Sequence, residues 1–375
     1  MRPIQAPLLF LLLLLPALAR PVYADEEASK HEHQVDALVE KIGVRADTPG
    51  IAVLVTDAHG VRLKKAYGLA NLSTHDPITA STTFELASVS KQIAGAAVLL
   101  LVQRGKVGIG DDIRKHLPEV PEYDAEHPIT LDHLSRHTSG LPDYLSWEGP
   151  ESSKGYLTNA DILAEFAKRK DSSPLVSKPG AKYEYSNSGY MLMGCLVEKL
   201  SGKSFGAFLA KEFFEPLGMK TAWVHESPAV PSAATAVGYT KEEGAWKPTW
   251  AAPTKEKHEK LFATGDGSVW ASLDDMAAWD HGLRTGTPVK TETLMGALAP
   301  GKTNSGERVA YAMGWNVEYG DHDAVASFYH SGKWGGFENF ITHDVGRGLT
   351  VVVLCNRAEF DAGEFAHAVA ALFHE

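Results

Sequence analysis

The chain has 375 residues, a formal net charge of −11 and 44% hydrophobic residues, which suits a globular protein with a sizeable core. The acidic balance argues against nucleic acid as a partner. With only Cys195 and Cys355, the chain has no disulfide framework. Two buried free thiols and a single bond between them both remain open.

Residues 1–24 have the layout of a secretory signal peptide. Arg2 supplies a short basic start, Leu8–Leu15 form a leucine run broken only by Phe10, and Val22-Tyr23-Ala24 offers a small-x-small cleavage site. The apolar run is shorter than the roughly 20 residues of a membrane-spanning helix. No cysteine follows it, which excludes a lipoprotein anchor. The expectation is an exported protein, periplasmic or secreted, with no stable membrane span after cleavage. Its mature part is residues 25–375.

Val35, Leu38, Val39 and Ile42 then share one helix face. Pro49-Gly50 opens a strand, IAVLVT, and Asp57-Ala58-His59-Gly60 turns it into a second, VRLKKAYG. Near the other end come AVASFYH, GFENFITH, a turn at Gly346-Arg347-Gly348, and the buried strand LTVVVLC. A helix over residues 359–373 follows. Such tight connections require antiparallel pairing, because parallel strands need long crossovers. The predicted fold class is therefore α+β, an antiparallel sheet built from both chain ends and flanked by helices. The sheet part covers about 25–85 and 256–375, and a mainly helical insertion covers about 86–255. The stretch KPTWAAPTKEKHEK reads as an exposed linking loop.

The stretch FELASVSKQIAGA, residues 84–96, puts a lysine in the first turn of a very apolar helix. Ser88 and Lys91 are three apart and share a helix face, so the amine can reach the hydroxyl. Free serine needs a base beside it, and a lysine shielded from water loses part of its preference for the charged form. Alone, this spacing equally describes a helix cap followed by a surface lysine. YEYSNSGY adds Tyr185 and Asn187 before a second apolar helix, and YHSGKWGGF adds His330, Ser331 and Gly332 at a strand end.

These segments, in this order, resemble the serine β-lactamase and penicillin-binding-protein superfamily, marked by Ser-x-x-Lys, Tyr/Ser-x-Asn and Lys/His-x-Gly. HTSGLPDY (137–144), FEPLGM (214–219) and GDGSVWASLDDMAAW (265–279) fit the same branch, that of class C β-lactamases, D-Ala-D-Ala carboxypeptidases and esterases. The resemblance implies a β-lactamase/DD-peptidase-like fold and an acyl-enzyme on Ser88, with no cofactor. Lys91 and Tyr185 would share proton transfer, the general base being either of them. Asn187 would hold the substrate amide, the strand carrying His330, Ser331 and Gly332 would line the cleft, and the backbone N–H groups of Ser88 and Lys333 would form the oxyanion hole.

His330 departs from the lysine of typical β-lactamases. A histidine titrates near 6.5 and holds a substrate carboxylate only when protonated, so carboxylate binding is expected to weaken as pH rises. That brings the resemblance nearer to the esterases and D-Ala-D-Ala carboxypeptidases of the superfamily, acting on a small-molecule or peptide substrate of ester or amide type. A dedicated β-lactamase and a non-catalytic penicillin-binding or sensor protein are the alternatives, and the oligomeric state stays open.

Other motifs are set aside. His133 and His137 are four apart, but Leu134 stands where a zinc protease places its glutamate, so no metal site is read. Gly202-Lys203-Ser204-Phe205-Gly206 imitates a nucleophile elbow, yet it follows the end of a helix where the elbow needs a strand. Ser272 with Asp275 reads as a capping box.

Overall fold

The computed structural model describes residues 22–147, 156–228, 234–250 and 261–373. The leucine run at the N-terminus and residues 251–260 of the expected linking loop lie outside them.

Seven strands form the main sheet: β1 (Ile51–Asp57), β2 (Gly60–Tyr67), β3 (Tyr311–Ala312), β4 (Trp315–Tyr319), β5 (Val325–Trp334), β6 (Phe337–Asp344) and β7 (Leu349–Cys355). Their order is β3-β4-β5-β6-β7-β1-β2, so the two chain ends meet where β1 pairs with β7. Every neighbouring pair is antiparallel. The sheet from both ends is therefore as the sequence predicts.

Alternation of side chains divides the core. Ile51, Val53 and Val55 of β1 face one cluster with Val35 and Val39 of helix α1 (Val22–Lys41) and Phe365 and Val369 of the C-terminal helix Ala362–Leu372. Ala52 and Leu54 face the larger cluster on the other side. There lies α2 (Ser90–Gln103), apolar all round and buried from Ser90 to Leu101, as a helix inside a large core must be. Helix α3 (Asn187–Ser201) packs against α2, and α4 (Leu273–Thr285) packs against β1 and β7.

The middle of the chain is less uniformly helical than its sequence suggests. It also carries an antiparallel hairpin, Gly238–Glu242 with Ala245–Trp250, and this takes up residues 247–250 of the expected linking loop. Strand β4 was likewise not read from the sequence. Cys195 and Cys355 are both buried free thiols. Among the described residues no helix is long and apolar enough to cross a membrane.

Candidate active site

The two-residue strand Phe84–Glu85 pairs with Val269–Ala271, which fixes the chain just ahead of Ser88. Ala87, Ser88 and Val89 then make one 3-10 turn that runs into α2. Ala87 has φ 51°, a left-handed conformation costing an alanine roughly 1–2 kcal/mol. Such strain persists only where surroundings over-determine it. Ser88 is partly exposed and lines an open cleft.

Lys91 sits one helical turn on and is completely buried. Its Nζ donates to Ser88 Oγ at 3.0 Å, to Asn187 Oδ1 at 2.9 Å and to the Asp266 backbone carbonyl at 2.7 Å. These three bonds use all the donors of an ammonium group, and none of the acceptors is a carboxylate oxygen. Among the described residues the amine is thus held in place without a salt bridge.

Asn187 is the first residue of α3, a helix capped by Ser186. Its amide is clamped at both ends, because Nδ2 and the backbone N–H donate to Asp143 Oδ2 at 2.9 and 3.1 Å. Asp143 reaches this place because Ser188 Oγ donates to the Pro142 carbonyl and accepts from the Tyr144 N–H, tying the 142–144 loop to α3. Next along, Tyr144 donates to Asp266 Oδ2 at 2.7 Å. Burial raises the Asp266 carboxyl, while the Lys91 charge and the tyrosine pull it back part of the way. Asp143, Asp266 and Glu85 were not singled out by the sequence reading, although all three lie inside motifs that it quotes.

The ring of Tyr185 stands beside Lys91, with Nζ 5.1 Å from its centroid, and the residue is 40% exposed. Among the described residues its hydroxyl makes no hydrogen bond to Ser88 or Lys91; catalytic contacts of this kind often tighten only around a substrate. Behind it lie His137, Tyr190 and Tyr311, packed ring against ring. His137 is buried, and its Nδ1 accepts the N–H of Ser186, so it serves the α3 cap. Among the described residues no group of His, Cys, Asp and Glu is placed to hold a metal ion.

His330 requires a correction. Its side chain is 3% exposed and faces this aromatic cluster, with Nε2 2.8 Å from the Tyr311 hydroxyl and Nδ1 2.5 Å from the Ser331 carbonyl. Burial and the Lys91 charge lower it to about 3. Burial there disfavours the cationic form on which its expected part in holding a substrate carboxylate depends.

The edge of β5 forms the other wall. Strand β4 pairs with β5 no further than Tyr329, and beyond it β5 runs against the Ser88 turn. Gly332 permits this approach, since a Cβ there would meet the Leu86 carbonyl oxygen at 2.2 Å. Ser331 is exposed, and Lys333 and Trp334 line the cleft. Lys333 is paired across the Gly335-Gly336 turn with Glu338, at 2.7 Å.

The competing motifs are structural. Ser204 caps the helix Phe205–Leu209 by accepting the Ala207 N–H, and it donates to Glu226 at 2.6 Å. Gly202, with φ 68°, ends α3 just before it, so no strand leads into this serine. Ser272 and Asp275 form the capping box of α4.

A lysine buried beneath a serine at the head of an apolar helix, beside a sheet made from both chain ends, is the arrangement of the β-lactamase and penicillin-binding-protein fold. The chain belongs to the Beta-lactamase family, whose sequence profile matches residues 35–374. Penicillin-binding protein 4* of Bacillus subtilis (strain 168) is 27% identical over 338 residues, covering 88% of this chain and 73% of that protein. Protein flp of Staphylococcus aureus (strain N315) is 26% identical, covering 87% of this chain; the chain spans only 63% of flp. Among solved structures, the octameric penicillin-binding protein homologue from Pyrococcus abyssi superposes with a TM-score of 0.73 at 23% identity, covering 92% of this chain and 77% of that one. EstCE1, a hydrolase with promiscuous acyltransferase activity, superposes with a TM-score of 0.72 at 21% identity, covering 94% of this chain and 100% of its own. At such identities the likeness is one of fold.

Proposed function

We propose that this protein is an exported serine hydrolase that forms an acyl-enzyme on Ser88 and acts on esters or amides without a carboxylate next to the scissile bond. The observation that carries the reading is the 3.0 Å contact between Lys91 Nζ and Ser88 Oγ, inside a cleft open to a substrate. Ser88 Oγ attacks the carbonyl carbon, and its proton passes to the Lys91–Tyr185 pair in the state that is one proton short, with either a neutral amine at Lys91 or a tyrosinate at Tyr185. The backbone N–H groups of Ser88 and Lys333 receive the oxyanion, and Asn187 positions the substrate amide. The pair returns the proton to the departing alcohol or amine. Water then attacks the acyl ester and releases the acid, restoring Ser88.

The preference for uncharged substrates rests on the cations near the cleft among the described residues. His330 is neutral and Lys333 is engaged by Glu338. Lys91 lies beneath Ser88 with its donors filled. The cleft also includes the apolar Leu145, Leu261 and Ala263.

Intact-protein mass spectrometry after exposure to a neutral ester, a penicillin and a D-Ala-D-Ala peptide tests the proposal. An adduct from the ester, mapped to Ser88 and absent in Ser88→Ala, is the expected result. Acylation that survives Ser88→Ala overturns it. A penicillin adduct that forms fastest and is hydrolysed rapidly transfers the assignment to a β-lactamase.

A further inference from the structure

Glu85 is buried to 3% exposure and borders the cleft, yet the proposed chemistry gives it no part. One of its oxygens, Oε1, accepts two backbone N–H groups: that of Ala87 at 3.2 Å and that of Ser268 at 3.0 Å. Both donors belong to non-glycine residues in left-handed conformations, with φ 51° at Ala87 and 73° at Ser268. One is the residue before the nucleophile. The other ends the loop whose Asp266 carbonyl accepts Lys91.

We infer that Glu85 is a positioning residue for acylation: as a neutral acid it ties the turn that carries Ser88 to the loop that fixes Lys91, and its ionisation shuts acylation down on the alkaline side. The inference rests on the proposed acyl-enzyme. The positioning half follows from the contacts, and the ionisation half from a buried carboxyl in the wall of the cleft. A single acceptor bonded to both strained residues sets the separation of their two segments, and thereby the Ser88–Lys91 distance. A carboxylate there would place negative charge in the wall of the cleft where the oxyanion of the tetrahedral intermediate develops.

The surroundings favour the neutral form. Among the described residues, the ionisable groups around the cleft are Asp266 on the neighbouring loop, Lys333 on β5, His225 and Tyr144, with Lys91 on α2 behind them. Burial raises Glu85 to about 8, against the two N–H bonds that lower it and with the Asp266 charge adding to the rise. His225 is lowered by burial to about 4 and is neutral beside it. The folded protein therefore retains a proton that the unfolded chain releases above the ordinary carboxylate range. Stability falls as pH rises from that range to about 8, and levels off beyond it.

The test is kcat/KM for a neutral ester between pH 6 and 10, for the unmodified protein and for Glu85→Gln, which keeps the acceptor oxygen and cannot ionise. The unmodified protein should lose activity by about tenfold or more on the alkaline side. Glu85→Gln should match it near pH 7 and lack that loss, and its thermal midpoint should not decline from pH 5 to 8. Glu85→Ala, without the acceptor, should be slow at every pH. An unmodified protein with no alkaline loss overturns the inference without any variant, and so does an identical loss in Glu85→Gln. In either case Ser88 labelling by the same ester persists; only labelling that survives Ser88→Ala strikes the underlying proposal.

Discussion

Asp280 on α4 and Glu85 before the nucleophile turn are both buried acids, exposed to 2% and 3%. Asp280 is surrounded by side-chain donors. Thr56 of β1 reaches it at 2.6 Å, Thr350 of β7 at 2.7 Å and Arg284 Nε at 2.7 Å, with His343 of β6 at 3.4 Å. Burial alone would raise its carboxyl, but these partners hold it well below the ordinary range. Glu85 receives two backbone N–H groups and, among the described residues, no cation, and is raised. One acid is a charged latch joining a helix to the middle of the sheet. The other is a neutral clamp at the cleft. Whether a buried charge serves stability or chemistry thus depends on how completely its neighbours compensate it.

Substitutions can separate the two regions. The largest effect on activity is expected for Lys91→Met, which should slow acylation by about 10²-fold or more while the folded state persists. Ester turnover and denaturant unfolding measured together check both halves. The converse belongs to Asp280→Ala, which strands Arg284 and should cost about 3–5 kcal/mol of stability with little change in turnover per folded molecule. Asp280 also makes the fold acid-sensitive. Its folded value is depressed, so its contribution is present above the ordinary carboxylate range and is lost as pH falls below it. Asp280→Asn should flatten that acid limb in a pH series of unfolding curves.

Asp143→Ala should come next, releasing the Asn187 amide and lowering kcat/KM for an amide substrate by about tenfold. A wild-type pH profile with a uniformly lower rate would mark loss of positioning. Ser204→Ala removes a helix cap and should cost about 1 kcal/mol, leaving turnover unchanged. The smallest expectation concerns His330. The ratio of penicillin to neutral-ester kcat/KM should stay constant from pH 5.5 to 8.5, because this histidine is already neutral there. A ratio that falls through a midpoint near 6.5 would show that the aromatic cluster leaves His330 open to protonation.

The strands from both chain ends were legible because their apolar runs and tight turns are local properties. Strand β4 and the Gly238–Trp250 hairpin were not, since both are short and mix polar with aromatic residues. At the site, Ser88 and Lys91 could be paired from their spacing alone. Asp143 could not be recognised as the partner of Asn187, because 44 residues separate them and the contact exists only once the loop before Tyr144 has docked on α3. The error over His330 has the same origin. A strand-end histidine looks accessible until Tyr311, from a different strand, covers it.

Gly332 carries a consequence for how this cleft can diversify. Its Cα faces the Leu86 carbonyl with no room for a methyl group, so the distance from the nucleophile turn to the sheet edge is a backbone-to-backbone spacing. Side chains cannot widen or narrow it. The flanking residues are free of that restriction, since Ser331 is exposed and the Lys333 side chain is 74% exposed. Under the proposed reaction, the catalytic gauge and the substrate-reading surface are therefore interleaved on consecutive residues of one strand. Substrate preference can drift at 331 and 333 while the reaction geometry stays fixed at 332.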